Sequence, residues 1–267
     1  MKSEVLQLVQ KETDPARKLN LLREYLQALA LRSLHESEAF SNLAFVGGTA
    51  LRFAYGLQRF SEDLDFSLEV ADGYEPERWL KKLKNDLMLA SFDVSLTWSN
   101  KTNIHKSWIR CGGLLKEVGL SPQAEQKLSI KLEIDTAPPD GAICQKQIVN
   151  RYRMLALNLH DLPSLMAGKI HALITRNYPK GRDWYDLLWY CSRRPKVEPN
   201  LTQLHNALIQ TQGKGACSAA DWRSGCLSRI RQLDISELVA DVKPFLEHPG
   251  DAEMLNINHF ETILLTA

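Results

Sequence analysis

The chain has 267 residues, of which 44% are hydrophobic and 24% charged, and this composition is typical of a globular protein. Its net charge of +1 excludes a strongly basic global field of the kind that attracts nucleic acid, although a local basic patch is compatible with it. The sequence shows no apolar run near the roughly 20 residues of a membrane span, no secretory signal and no Cys-x-x-Cys pair. We therefore expect a reduced, cytoplasmic protein with no membrane partner.

Residues 1–42 are predicted to form a helical brace without chemistry of its own. Asp14 followed by Pro15 is typical of a helix cap and first helical turn. Apolar residues then recur at intervals of three and four positions, as on one face of an amphipathic helix: Leu19, Leu22, Leu26 and Leu29.

The stretch 43–68 contains the most informative pattern in the chain. Its apolar start, Leu43–Val46, predicts a buried strand. Gly47 and Gly48 follow, where the backbone turns sharply or approaches a ligand closely. A short helical pattern comes next, and the run 63–66 then predicts a second strand.

Asp63 and Asp65 share one face of that second strand, because side chains alternate along a strand. Two carboxylates among apolar neighbours are costly unless a positive group lies between them, and Mg²⁺ is suited to carboxylates together with substrate phosphates. The Gly-Gly-Thr turn before a helix offers backbone N–H groups and the Thr49 hydroxyl to a phosphate.

Further strands are predicted by alternation at 92–98, 107–111 and 127–136. In the last of these, apolar residues occupy one face and charged or hydroxyl side chains the other. This pattern alone favours a half-exposed antiparallel strand with a solvated charged face. Residues 151–159 are predicted to be extended or connecting.

Helical patterns fill the rest of the chain. Asp161 before Leu162 and Pro163 predicts a helix that runs to about Arg176, and a second helix is predicted from Arg182. Lys169 and Arg176 are seven positions apart and therefore lie on one helical face. Residues 195–267 show helical patterns without chemistry.

Two motifs in this order resemble a known family. Residues 47–66 are similar to the nucleotidyltransferase signature of the DNA polymerase β superfamily, a Gly-Gly turn followed by an Asp-x-Asp strand. The closer form, Gly-Gly-Thr-Ala-Leu followed by Arg-Phe-Ser-Glu-Asp-Leu-Asp-Phe, resembles the AbiEii/AbiGii toxins of type IV toxin–antitoxin and phage-defence systems, including MenT-type enzymes. That family's second signature, Lys-x-x-Ala-Leu-x-x-Arg followed by Arg-Asp-aromatic-Tyr-Asp-Leu, matches 169–176 and 182–187.

The resemblance implies an α+β fold with a mixed-sheet, polymerase-β-type nucleotidyltransferase core. We expect an N-terminal helical brace at 1–42, the core at 43–155 and a helical C-terminal lobe at 156–267. The lobe is expected to contribute Lys169, Arg176 and Asp183 to the active site.

The resemblance also implies roles for individual residues. Asp63 and Asp65 are expected to hold Mg²⁺ or Mn²⁺ with a nucleoside triphosphate. The expected nucleotide contacts come from Gly47, Gly48, Thr49, Arg52, Lys169 and Arg176. Arg59 is expected either to assist there or to pair with Glu62.

Proton transfer has several candidates. The family's Lys-Leu-Glu-Ile strand matches residues 131–134 and indicates Glu133 as the acceptor of the attacking hydroxyl's proton, with Asp135 in reserve on the same face. Asp183 is either a second base candidate or a partner for Lys169.

The resemblance implies a nucleotidyltransferase toxin that adds nucleotides to RNA, at the tRNA 3′ end in MenT-type enzymes, with an antitoxin as its protein partner. Two alternatives stay open at this point. One is a small-molecule nucleotidyltransferase of the aminoglycoside-modifying type, and the other is a non-catalytic nucleotide-binding module.

Overall fold

A computed structural model describes residues 1–215 and 217–265 of the chain, and their contacts divide them into two compact units. The first unit comprises residues 1–56, 60–138 and 145–159. The second comprises residues 57–59 and 139–144 and the described residues from 160 onward. No helix in these described ranges is long and apolar enough to cross a membrane.

The first unit begins with two helices, α1 (Lys2–Gln10) and α2 (Pro15–Glu36), rather than a continuous one. The predicted cap at Asp14 is confirmed, since its carboxylate accepts the N–H groups of Ala16 at 2.8 Å and Arg17 at 3.3 Å. Contacts place both helices in the same unit as the sheet.

Among the described residues, seven strands form one mixed sheet, as the expected α+β class requires. In chain order they are β1 (Leu43–Val46), β2 (Leu64–Leu68), β3 (Asp93–Ser99), β4 (Ile104–Gly112), β5 (Leu128–Asp135), β6 (Cys144–Arg151) and β7 (Arg153–His160). Their order across the sheet is β3-β4-β5-β2-β1-β7-β6. Three helices lie between strands: α3 (Gly47–Tyr55), α4 (Pro76–Leu89) and α5 (Leu114–Glu117).

One face of the sheet packs against helices. Helix α2 packs against β5 and α4, and α4 packs against β3, so the apolar strand residues are buried beneath them. In β5 the predicted alternation is confirmed, because Leu128, Ile130, Leu132 and Ile134 are buried while the intervening residues are half-exposed. The charged face of β5 is therefore the open face of the sheet.

Two sequence expectations differ from the structure here. Strand β2 begins at Leu64, so Asp63 lies one residue before it rather than inside it. Strand β6 was not predicted, because this edge strand begins with the polar or exposed residues Cys144, Gln145, Lys146 and Gln147, which carry no apolar alternation.

The second unit is helical. Its helices are α6 (Leu162–Thr175), α7 (Gly181–Ser192), α8 (Leu201–Gln212), α9 (Trp222–Ile230), α10 (Ile235–Val242) and α11 (Ile257–Leu265). The predicted helix start at Asp161 is confirmed, since its carboxylate accepts the N–H of Ser164 at 2.8 Å. Helix α6 packs against α7, α8 and α9, and Gly181 at the start of α7 allows close contact with the backbone of Leu238 in α10.

Candidate active site

Asp63 and Asp65 lie on the open face of the sheet in the first unit. Both are half-buried, whereas Leu64 and Phe66 between and after them are buried on the other face. The predicted alternation is therefore correct even though Asp63 precedes the strand. Apolar packing on one side fixes the strand, and this holds the two carboxylates side by side on the other.

Strand β5 supplies the neighbours of these carboxylates. β2 and β5 pair in parallel, with Asp65 opposite Glu133 and Leu64 opposite Leu132. The same register places Lys131 beside Asp63. Residues 131–134, which match the family's Lys-Leu-Glu-Ile strand, therefore lie next to the strand that carries Asp65, and Glu133 is on the same face as Asp65.

Glu133 is engaged by two lysines. Its carboxylate lies 2.7 Å from Lys131 Nζ and 3.5 Å from Lys106 Nζ, and Lys106 is directly opposite it on β4. With 22% of its side chain exposed, Glu133 remains accessible from the open face. Across β2, β5 and β4, Asp65, Glu133 and Lys106 thus form one row, in which two adjacent carboxylates are followed by an ammonium group.

Lys131 is a site residue that sequence analysis did not single out. Burial alone would lower the pKa of its ammonium, but the hydrogen bond to Glu133 and the charges of Asp63 and Asp65 raise that pKa. Lys131 is therefore a firmly charged cation within the carboxylate cluster. Its place on the charged face of β5 was visible in the sequence, but its neighbours on β2 were not.

Asp135, the reserve candidate, lies two pairs further along β5, opposite Ser67. Its carboxylate accepts the N–H of Ala137 at 3.0 Å, and burial raises its pKa. This side chain closes the turn after β5.

The N-terminus of α3 is built against Asp65. Gly47 has φ +78°, and a Cβ at this position would collide with the Asp65 carboxylate. Only glycine both adopts this backbone conformation readily and leaves room for that carboxylate. Val46 at the N-cap makes no side-chain cap to the helix. Gly47 and Gly48 thus begin a helix whose first turn faces Asp65.

Thr49 and Arg52 correct two expectations, because both side chains are buried. The Thr49 residue is 0% exposed, and its hydroxyl donates to the carbonyl oxygen of Asp63. Arg52 is 2% exposed, pairs with buried Glu24 and lies with its guanidinium carbon 4.0 Å from the centroid of the Phe60 ring. The Thr49 hydroxyl therefore supports the segment before β2, and Arg52 anchors α3, instead of facing a nucleotide.

In the second unit, the second signature forms a network of charges. Lys169 Nζ lies 2.8 Å from both Asp183 Oδ1 and Asp186 Oδ2, and Arg176 also pairs with Asp183. Arg59 donates to both carboxylate oxygens of Asp186 at 2.6 Å. Arg59 is thus bound by Asp186, and Glu62 lies 3.3 Å from Arg23.

This network fixes the charge state of its members. Burial alone would raise the pKa of Asp183, but the charges of Lys169 and Arg176 hold it well below its usual range. Burial alone would lower the pKa of Lys169, but Asp183 and Asp186 raise it. Sequence analysis missed Asp186, which is 0% exposed, because the Arg59 that neutralises it is 127 positions away.

The structure thus distributes the predicted residues between the units. Within the first it brings together Gly47, Gly48, Asp63, Asp65 and Glu133; within the second it brings together Lys169, Arg176 and Asp183. Asp63 and Asp65 offer hard oxygen donors, the type that Mg²⁺ and Mn²⁺ take, and the carboxylates already have cationic Lys131 beside them. The donor set fits a hard divalent cation.

Comparisons with known proteins identify the family and the fold of the chain. A family model described as "Nucleotidyl transferase AbiEii toxin, Type IV TA system" matches residues 29–264. The chain is similar in structure to JHP933 from Helicobacter pylori, with a TM-score of 0.53 and 17% identity over 92% of each chain. A candidate nucleotidyltransferase from the same organism gives the same TM-score and identity over 92% of this chain and 95% of its own. At this identity the two structures show a shared fold. A search of curated proteins finds no significant match.

Proposed function

Because the chain belongs to the AbiEii nucleotidyltransferase toxins of type IV toxin–antitoxin systems, we propose that it transfers nucleotides from a nucleoside triphosphate to an RNA acceptor, at the tRNA 3′ end. The observation that carries this proposal is the contact of Asp65 with Gly47 at the start of α3, beside Glu133 on the adjacent strand. This contact supports a phosphate site at the turn that begins α3, next to the carboxylates.

The triphosphate is bound at this region. Backbone N–H groups of Gly47 and Gly48 point from the first turn of α3, where a helix favours anionic groups. Asp63 and Asp65 would hold Mg²⁺ or Mn²⁺, which offsets the charge of the triphosphate and polarises the phosphate under attack.

The reaction is an in-line displacement at the α-phosphate. A bond forms between the acceptor hydroxyl oxygen and phosphorus while the bond to pyrophosphate breaks. Glu133 accepts the hydroxyl proton, supported by its place opposite Asp65 and its partial exposure. Lys131 neutralises part of the negative charge of this cluster.

Within the second unit, Lys169 and Arg176 of the second signature are proposed to contact phosphate groups. Arg176 keeps 40% of its side chain exposed, so guanidinium donors remain accessible to a phosphate. Of the two roles expected for Asp183, the partner of Lys169 is favoured over the base. A carboxylate whose pKa is held this low is a weak proton acceptor.

Membership of a type IV toxin–antitoxin family implies an antitoxin as partner. We propose that an antitoxin encoded nearby opposes the transferase activity in the cell. Co-expression of the adjacent gene should then restore growth to cells in which this chain is toxic, and toxicity that persists with every neighbouring gene present would contradict this part of the proposal.

The acceptor is tested by offering α-³²P-labelled ATP, CTP, GTP and UTP in turn, with Mg²⁺ and total RNA. We expect a labelled tRNA-sized band with at least one nucleotide. A parallel reaction with an aminoglycoside instead of RNA should give no product. Label on the aminoglycoside alone would assign a small-molecule acceptor, and triphosphate binding without transfer to any acceptor would assign a binding module.

A further inference from the structure

The open face of the sheet continues beyond the carboxylates onto strand β4. There the residues that face away from the helices are Lys106, Trp108 and Arg110, whereas Ser107 and Ile109 between them are buried. Lys127 and Lys131 lie on or beside the same face of β5. We call these five residues, Lys106, Trp108, Arg110, Lys127 and Lys131, the Trp108 platform.

The register joins the platform to the candidate active site. Trp108 lies opposite Lys131, and Lys106 lies opposite Glu133. Because adjacent strands are about 4.8 Å apart, the Trp108 position is about 10 Å from the β2 row that carries the aspartates. The platform is therefore one or two nucleotide lengths from the residues assigned to catalysis.

Trp108 is an unusual residue for this position. The residue is 38% exposed on a half-polar sheet face, where a polar residue would leave less apolar surface in water. A single exposed aromatic residue needs no explanation by itself. Here, however, positive groups surround it, and this combination is typical of surfaces that bind single-stranded nucleic acid.

Two cations already lie over the indole ring. The Arg110 guanidinium carbon is 5.6 Å and Lys131 Nζ 6.0 Å from the ring centroid, at the outer end of the cation–π range, so a stacking base replaces only loose contacts. Arg110 donates to Thr97 Oγ1 at 3.2 Å, and Lys127 lies 3.5 Å from Ser95 Oγ. These contacts with β3 keep both cations at the border of the platform.

We propose that the Trp108 platform binds the single-stranded 3′ end of the acceptor polynucleotide. One base stacks on Trp108, and Lys106, Arg110 and Lys127 contact the backbone phosphates that follow. The terminal hydroxyl can then extend along the open face toward Glu133 and Asp65. The direction in which the polynucleotide lies rests on the proposed function, whereas its binding to the platform does not.

A local cluster of cations also explains how a chain with a net charge of only +1 can bind nucleic acid. Four cations are concentrated on one small area of the sheet, and the acidic residues beside them are those assigned to catalysis. The negatively charged phosphate backbone of a nucleic acid is therefore attracted to the platform. The neighbouring carboxylates repel these phosphates unless a divalent cation is bound between them.

Binding is tested by fluorescence anisotropy of a 5′-labelled single-stranded oligoribonucleotide of about ten nucleotides. We expect Trp108→Ala to weaken binding about tenfold, since base–aromatic stacking has that magnitude, and Trp108→Phe to restore most of it. Lys106→Ala should lower the slope of log affinity against log salt by about 0.7, the value for one contact to a single strand. A DNA oligonucleotide of the same sequence tests whether the 2′-hydroxyls contribute.

Lys84→Ala is the matched control. Lys84 is an exposed lysine on α4, the helix that packs on the opposite face of the sheet, so its loss should leave the affinity unchanged. Equal affinity of the wild-type and Trp108→Ala proteins would overturn the proposal. So would Trp108→Ala binding the oligonucleotide normally but escaping inhibition by the antitoxin, since that result assigns the platform to the protein partner.

Transfer kinetics separate this proposal from the proposed function. If both are correct, Trp108→Ala raises the KM for the acceptor about tenfold and leaves the KM for the triphosphate unchanged. If the wild type transfers nucleotides and the acceptor KM of Trp108→Ala is unchanged, the platform alone is refuted. If the wild type transfers nothing but binds the oligonucleotide, and Trp108→Ala does not bind it, the proposed reaction is refuted and the platform is retained.

Discussion

Replacing Gly47 with alanine tests how the start of α3 supports Asp65. Gly47 has φ +78°, and the new Cβ would occupy space now filled by the Asp65 carboxylate. The substitution therefore has two effects, a strained backbone and a displaced carboxylate. A matched variant separates them.

Gly56→Ala is that variant. Gly56 ends the same helix with φ +74°, but nothing lies within 4 Å of a Cβ built there. Both substitutions introduce an L-residue at positive φ, which costs about 1–2 kcal/mol. We expect each to lower Tm by about 2–8 °C, because 1 kcal/mol corresponds to about 2–4 °C for a chain of this size.

Activity should separate the two variants. A carboxylate moved by about 1 Å costs about 100-fold in rate, so kcat/KM of Gly47→Ala should fall about 100-fold relative to wild type. Gly56→Ala should stay within about threefold, since it leaves Asp65 in place. The assay is nucleotide transfer at a temperature where both variants are folded by circular dichroism. Equal kcat/KM values for the two variants would refute the assigned role of Gly47.

Three further substitutions test the charge networks. Asp186→Asn should lower the free energy of unfolding, measured by urea denaturation, by about 3–5 kcal/mol, because it leaves the charge of Arg59 buried and partly uncompensated. A loss below about 1 kcal/mol would contradict this reasoning. Combining the change with Arg59→Met should recover part of the loss. The lowered pKa of Asp183 stabilises the folded protein above the unfolded pKa of about 3.9, and this stabilisation is lost as the pH falls toward the folded pKa. Asp183→Asn should therefore flatten the decline of the free energy of unfolding below about pH 4. An unchanged slope would contradict the pairing of Asp183 with Lys169 and Arg176. Lys131→Met should tighten Mn²⁺ binding at least about threefold, measured by electron paramagnetic resonance, because it removes a positive charge beside Asp63 and Asp65; weaker binding would show that Lys131 instead positions those carboxylates.

Local patterns were sufficient to predict the central part of the fold. The strand before Gly47, the alternation that places Asp63 and Asp65 on one face, and the helix start at Asp161 all depend on residues close together in sequence. The structure has each of them. Edge strand β6 was not predicted because its backbone pairs with β7 while its side chains are mostly polar and exposed.

Residue roles that depend on distant partners could not be predicted in this way. Arg52 pairs with Glu24 in α2, and Arg59 pairs with Asp186. The sequence around these two arginines therefore did not show that they are buried beside distant acidic residues. The Trp108 platform likewise depends on the register of β4 with β5. That register decides which residues share a face, and the sequence of one strand does not contain it.

The most direct test of the active-site assignment compares Asp65→Asn with Glu62→Gln in the transfer of label from an α-³²P nucleoside triphosphate to RNA. Each change removes one carboxylate charge from the same segment, but Glu62 lies beside Arg23, whereas Asp65 packs on Gly47. We expect Asp65→Asn to abolish transfer with the fold intact, and Glu62→Gln to retain it within about threefold. Undiminished transfer by Asp65→Asn would contradict the assignment of the active site.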